Sequence, residues 1–443
     1  DVAPSRGLGD VYKRQSLNGG KVNLDGADLL RAILMTRAAK EKYHGTSATS
    51  EVREFRIRMG MELDLMNLWF GKTADYFKQF ISDQTIGMAR INRFDFTTLP
   101  INLLYLLYYE YRRNEKESLN FSFFEYGKNS NGNPDDDRWE MYLELQEMYA
   151  ILQRWYNDKE LYHYLGFLFF NFKAQTPFRD IYTQWKALNS RDKFLKDIQH
   201  TIATRMLDRY LEETEKAAPD YQKCLKTMTE AISDFRENWY NNDKELYQIL
   251  ILLDIFRILD SKSIKKLPTD YFTRKSGQKD GEDKEHILSQ TPRKDNGEIA
   301  TIKTDWERFA QSEDFKDIRS QMQEILNHSD AELTEQELTQ LQNLLNSAGL
   351  NSIGNMVLLD LRINRSYGNA DYAHKRTIIF QEYMNQKYVR PHTLAVFMKG
   401  DIDAREATGI PLNRWTLEDI KRNTDKIAKE IGKNFNAWLT QNN

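Results

Sequence analysis

Apolar residues recur at intervals of three and four over long stretches of this chain, the spacing that lays one face of an α-helix against a core. In "WEMYLELQEMYAILQRWY" (residues 139–156), Trp139, Tyr142, Leu143, Leu145, Met148, Tyr149, Leu152, Trp155 and Tyr156 make one broad apolar face. "INLLYLLYYEYRR" (101–113) and residues 161–172 follow the same rule. "LYQILILLDIFRIL" (246–259) carries Gln248, Asp254 and Arg257 among its apolar residues, so it reads as a helix buried on most sides. Residues 51–275 are therefore predicted as a helical body, with no repeat strict enough for a solenoid.

The pattern then changes. "SKSIKKLPTDYFTRKSGQKDGEDKE" (261–285) is charged and contains Gly and Pro, which marks a linker and a boundary near residue 275. Beyond it, "NMVLLDL" (355–361) is a short apolar run leaving the Ile353-Gly354 turn, the mark of a strand. A further helix is expected to begin near residues 369–371. The stretch 290–345, with "DWERFAQ" and "AELTEQELTQLQNLL", reads as helical padding. The expected fold class is mainly α: a helical body followed by a carboxy-terminal α+β domain over residues 276–443.

Residues 1–15, "DVAPSRGLGDVYKRQ", have neither period and resemble translated sequencing-adaptor read-through, so they are expected to belong to no fold. "SLNGGKVNLDGADLLRAILMTR" (16–37) is a Gly-Gly turn leading into a helix with Leu29, Leu30, Ile33 and Leu34 on one face. "NSNGNPDDD" (129–137) is a loop whose aspartates suit a helix start better than a metal site.

A length of 443 residues allows two or three domains. The net charge of −3 provides no global basic field, so any nucleic-acid contact must come from a local patch. Cys224 is the only cysteine, which excludes an internal disulfide and a thiolate zinc site and fits a reducing cytoplasm. No apolar run reaches the roughly 18 residues of a membrane span, so no membrane partner is expected. His163 and His200 lie in helical stretches without acid or Cys companions and read as structural, and His44 lies in a polar loop.

Chemistry enters at "KEHILSQ" (284–290), where an acid directly precedes a histidine. Such a pair alone is uninformative. It gains meaning beside "GNMVLL" (354–359), "NRSYGNADYAHK" (364–375) and "WTLEDIKRN" (415–423), with Asn355 and Asn364 flanking the predicted strand. Together these blocks resemble the carboxy-terminal domain of the GmrSD type of modification-dependent restriction endonuclease. They also resemble, more distantly, the HNH or ββα-metal nuclease motif whose last letter is Asn. Residues 16–37 resemble the closing motif of that family's ParB-like domain, so 16–50 are expected to be the tail of that domain; its Asp-Gly-Gln-Gln-Arg signature occurs nowhere in the chain, which is expected to be truncated at its amino end. The family favours Pro where this chain has Ser289, which loosens the loop after the first strand without removing a ligand.

The resemblance implies a divalent-metal-dependent DNA endonuclease of a restriction or anti-phage system, acting on modified or phage-derived DNA in the cytoplasm. It assigns Glu285 and Asn364 to Mg²⁺ or Mn²⁺, His286 to general-base duty and Asn355 to orienting His286 or its loop. Mg²⁺ favours oxygen ligands and keeps several waters, so a carboxylate and an amide oxygen suffice as protein ligands. Adjacent strand residues point to opposite faces, so Glu285 and His286 are expected to share a site only across a bulge or twist. Lys375 is implied as a phosphate contact, with Arg362, Arg365 and Arg376 completing a local basic patch, and His374 is the second choice of metal ligand. A nucleotide requirement would belong to the full-length protein alone, and a homo-oligomer stays open. The competing expectation is a noncatalytic helical DNA-binding or interaction subunit with a decayed nuclease domain.

Overall fold

The computed structural model describes residues 25–43, 50–113, 118–120, 123–124, 138–262, 266–274, 281–289, 291–292, 298–363, 372–399 and 413–440. They are mainly helical, as the periodicity predicts, and fall into two compact units: Asp1–Tyr156 with Lys173–Ala187, and Asn157–Phe172 with Leu188–Asn443. Residues 1–15, the Gly-Gly turn, the Asp135–Asp137 run, His44, Asn364 and Arg365 lie outside the described residues.

In the first unit the helix Gly26–Ile33 starts where a capping box allows it to: Asp25 accepts from the Ala27 N–H, and Asp28 accepts from the Asp25 N–H at 3.2 Å. The helix Ser50–Phe77 buries Val52, Phe55, Met59, Leu63, Met66 and Phe70 along one face. Helix Arg138–Asn157 answers with its own aromatic face, and Trp69 meets Tyr149 edge-on at 5.3 Å between centroids.

The second unit holds a two-stranded antiparallel sheet among helices. Strand β1 is Glu282–His286 and strand β2 is Met356–Asp360, registered so that Glu285 faces Val357 and His286 faces Met356. β2 is apolar and buried on both faces from Met356 to Leu359, which is why it is legible as a strand. β1 reads Glu-Asp-Lys-Glu-His and survives because its charges are paired. Arg390, fully enclosed, donates twice to Glu282 at 2.8 Å and once to Asp254 at 2.8 Å, and Asp254 also accepts from the His392 N–H at 2.8 Å. One guanidinium thus ties the start of β1 to the helix Asp243–Asp260 and the start of the helix Pro391–Met398.

Part of the stretch expected to be a linker is instead packed. Leu267, Tyr271 and Phe272 are buried, and the Leu267 N–H donates to His163 Nε2 at 2.9 Å. The boundary expected near residue 275 falls outside the described residues, and the second unit runs on both sides of it. The stretch read as padding supplies helices Lys303–Ala310, Arg319–Asn327 and Glu335–Ser347, whose Trp306, Met322, Leu341 and Leu345 share a core with Val357 and Leu359 of β2.

Candidate active site

The candidate site gathers at the end of β1. Side chains alternate along a strand, so Glu282, Lys284 and His286 share one face while Asp283 and Glu285 take the other. β1 pairs regularly through His286, with no bulge. Glu285 and His286 therefore turn to different partners, and what joins them is Lys375. On the helix Tyr372–Met384, its ammonium donates to Glu285 Oε1 at 2.9 Å and to the His286 carbonyl oxygen at 2.7 Å.

Lys375 is 0 % exposed. Burial pushes its pKa below the ordinary lysine value, and the Glu285 carboxylate opposes that shift. This corrects the expectation of a phosphate contact: the ammonium is enclosed and spent on the acid and the backbone of the motif. The reason is helix phase. Tyr372, Lys375 and Ile379 lie three and four apart and are all buried, so position 375 belongs to the inward stripe.

His286 is held by groups from two other segments. Its ring stacks on Tyr240, with centroids 4.8 Å apart and planes 20° from parallel, and Lys284 Nζ lies 4.1 Å from the same tyrosine ring centroid. Its Nε2 is 2.9 Å from Asn351 Oδ1. The Asn351 amide is oriented by its other end, where Nδ2 donates to Asn346 Oδ1 at 2.6 Å. A carbonyl oxygen only accepts, so the imidazole proton sits on Nε2 and the basic lone pair on Nδ1. The Trp239 N–H donates to the Asn351 carbonyl at 2.9 Å, which fixes the tyrosine's turn to the same segment.

Asn355 is fully buried in the turn preceding β2. Its Oδ1 accepts from the Leu288 N–H at 2.8 Å, and its Nδ2 donates to the Leu288 and Leu350 carbonyls at 3.0 and 2.9 Å. The amide serves as a piece of backbone, clamping the residues that follow His286. Gly354, beside it, has no room for a Cβ, which would run into the Ile420 carbonyl and Thr424 of the helix Leu417–Thr440. Asn423 of that helix donates to the Gly354 carbonyl at 2.8 Å. The "GN" and Trp-Thr blocks, about 60 positions apart in the sequence, are thus two sides of one contact. Nearby, Gly349 has φ 89° and the Phe235 ring occupies the place of its absent Cβ.

Arg362 is exposed beside Asp360, at 3.7 Å. Arg376 donates from Nε to the Phe397 carbonyl at 2.9 Å and lies 4.5 Å from the Phe380 ring centroid, so packing engages it. His374 is exposed. Asn364 and Arg365 are outside the described residues, so the structure brings together Glu285, His286, Asn355 and Lys375 of the expected set. Sequence reasoning missed Asn351 and Tyr240. Asn351 lies inside "LNSIGN" and could have been found as a second amide beside the motif, whereas Tyr240, 46 positions before His286, has no local signal.

Among the described residues no group of three or more His, Cys, Asp and Glu side chains could hold a metal ion. Glu285 gives Oε1 to Lys375, and its second oxygen makes no hydrogen bond among the described residues. That donor set fits a hard cation taking a single carboxylate oxygen here and filling the rest of its shell with amide, water or phosphate oxygens, and it does not fit a cage of carboxylates or imidazoles.

Among the described residues, no helix is long and apolar enough to cross a membrane. No curated protein and no solved structure matches the chain. The family model described as GmrSD restriction endonucleases, C-terminal domain, matches residues 229–430, which take in Tyr240, β1, the Asn351–Asn355 turn, β2, Lys375 and Asn423. The site is thus built within the matched region, and it is this carboxy-terminal stretch, residues 229–430, that is similar to the GmrSD restriction endonucleases.

Proposed function

We propose that the second unit is an HNH-type, ββα-metal nuclease that hydrolyses DNA phosphodiester bonds in a modification-dependent restriction or anti-phage system of the cytoplasm. The observation that carries this reading is the contact of His286 Nε2 with Asn351 Oδ1, an amide itself aimed by Asn346: it favours the proton on Nε2 and the basic lone pair on Nδ1, the form of imidazole that general-base catalysis needs. In the reaction, water attacks phosphorus while its proton passes to His286 Nδ1, and the bond to the leaving oxygen breaks. Tyr240 stacking and the Asn355 clamp hold the ring and the loop behind it. Glu285, with Asn364, would hold Mg²⁺ or Mn²⁺, which when bound compensates charge on the phosphate and the leaving oxygen. Lys375 keeps the Glu285 carboxylate beside the His286 backbone.

One observation favours a second reading, a decayed, noncatalytic DNA-binding domain: Glu285 already has a buried cation for a partner. Cleavage of modified and unmodified plasmid, with and without EDTA, separates the two. The active reading expects Mg²⁺-dependent cutting that His286→Ala lowers about a hundred- to ten-thousand-fold. Cutting that survives EDTA, or that proceeds at the parent rate in His286→Ala, would overturn the mechanism.

A further inference from the structure

The helix Ser50–Phe77 is apolar on two sides. One side is the buried stripe of the first unit. On the other, Ile57, Met61, Leu65 and Leu68 stand 60, 62, 61 and 63 % exposed. Their spacing of four, four and three puts them on a single face, and together they show roughly 400 Å² of apolar surface, within the size range of the largest, often functional, patch on a monomer.

Polar residues bound this stripe in a particular order. Glu54 precedes it by three positions and Lys72 follows it by four, both in phase with it and both exposed. Neither is in an ion pair among the described residues. The stripe is therefore close to palindromic about position 63: Met61 mirrors Leu65, Ile57 mirrors Leu68, and an acid mirrors a base. An identical helix laid antiparallel across it would bring Met61 against Leu65 at the centre and Glu54 against Lys72 at both ends. A two-fold contact has this self-complementary form, with each residue meeting the partner's mirror position. A parallel arrangement would place Glu54 on Glu54 and Lys72 on Lys72.

We infer that this face is an antiparallel helix–helix interface with a second copy of the chain. The inference is independent of the nuclease reading, because it is read by mass and not by cleavage.

The test is the mass of the full chain in solution by sedimentation equilibrium over about 1–100 µM, the range suited to an interface of this modest size. A concentration-dependent dimer is expected. Leu65→Glu should weaken it at least tenfold without lowering the thermal midpoint, since the side chain is mostly solvated. Glu54→Lys and Lys72→Glu should each weaken it several-fold, and the double exchange should restore the parent behaviour. A chain that stays monomeric throughout overturns the proposal. So does a dimer indifferent to Leu65→Glu, which would use another surface, and so does a double exchange that fails to restore, which would rule out the antiparallel register.

Discussion

His163 and His286 lie in the same compact unit and are both held through their ring nitrogens, but the environments put them to opposite uses. Around His163 the partners are backbone: Nδ1–H donates to the Lys159 carbonyl at 2.5 Å and Nε2 accepts the Leu267 N–H at 2.9 Å. The ring is fully buried, and burial pushes its pKa down to about 4, so it stays neutral and pins the 266–274 segment to the helix Lys159–Asn171. At His286 Nε2 the partner is a side-chain amide, itself aimed by a second amide, on a partly buried strand end. Two backbone bonds consume the acid–base capacity of an imidazole. An amide on Nε2 instead chooses which nitrogen carries the basic pair.

The largest expected effect tests that difference through stability. His163→Ala removes both bonds, strands the buried Leu267 N–H and leaves a cavity, so urea denaturation should show a loss of about 4 kcal/mol. His286→Ala should cost less than about 1 kcal/mol by the same measurement, because its ring is only partly buried. Reversed magnitudes would break the comparison.

A slightly smaller effect is expected with pH. His163 has a folded pKa of about 4 against an ordinary 6.5, so the unfolded chain binds the extra proton between those values. Its contribution is therefore complete above about pH 6.5 and declines as pH falls towards 4, by about 3 kcal/mol at most. Denaturation midpoints at pH 7, 5.5 and 4 should show the decline, and His163→Gln should flatten it. A slope unchanged by that substitution would assign the loss to carboxylates.

The smallest effect sharpens the other side. Asn351→Leu leaves the His286 tautomer unselected and should slow cleavage about tenfold. Asn351→Asp still accepts from Nε2 but adds a negative charge that favours the imidazolium, so the acidic limb of the pH–rate profile should move to higher pH. A purely structural Asn351 would lower activity in both variants without moving that limb.

The sequence carried the helices well because the period of a helix is local: "INLLYLLYYEYRR" and the run 246–259 reappear as Asn102–Arg112 and Asp243–Asp260. β2 was equally legible, being apolar throughout. β1 could not be found by pattern, since each of its five residues is polar and its strand conformation depends on Arg390, Asp243, Lys375 and Asn351, all distant in sequence. The 261–285 stretch misled for the same reason: composition says solvent, while Leu267 and Phe272 are buried against a helix about a hundred residues earlier. Lys375 sat in an apparent basic patch, and its helical phase with Tyr372 and Ile379 held the opposite information.

By itself the sequence determined the helical class, the apolar strand and the residue types available for chemistry, because these depend on local spacing and on side-chain identity. The tertiary structure alone decided that Lys375 faces Glu285 instead of solvent, that His286 stacks on Tyr240, and that Asn351 sets its tautomer. Those are relations among side chains 46 to 90 positions apart, and no local period encodes which buried donor finds which acceptor.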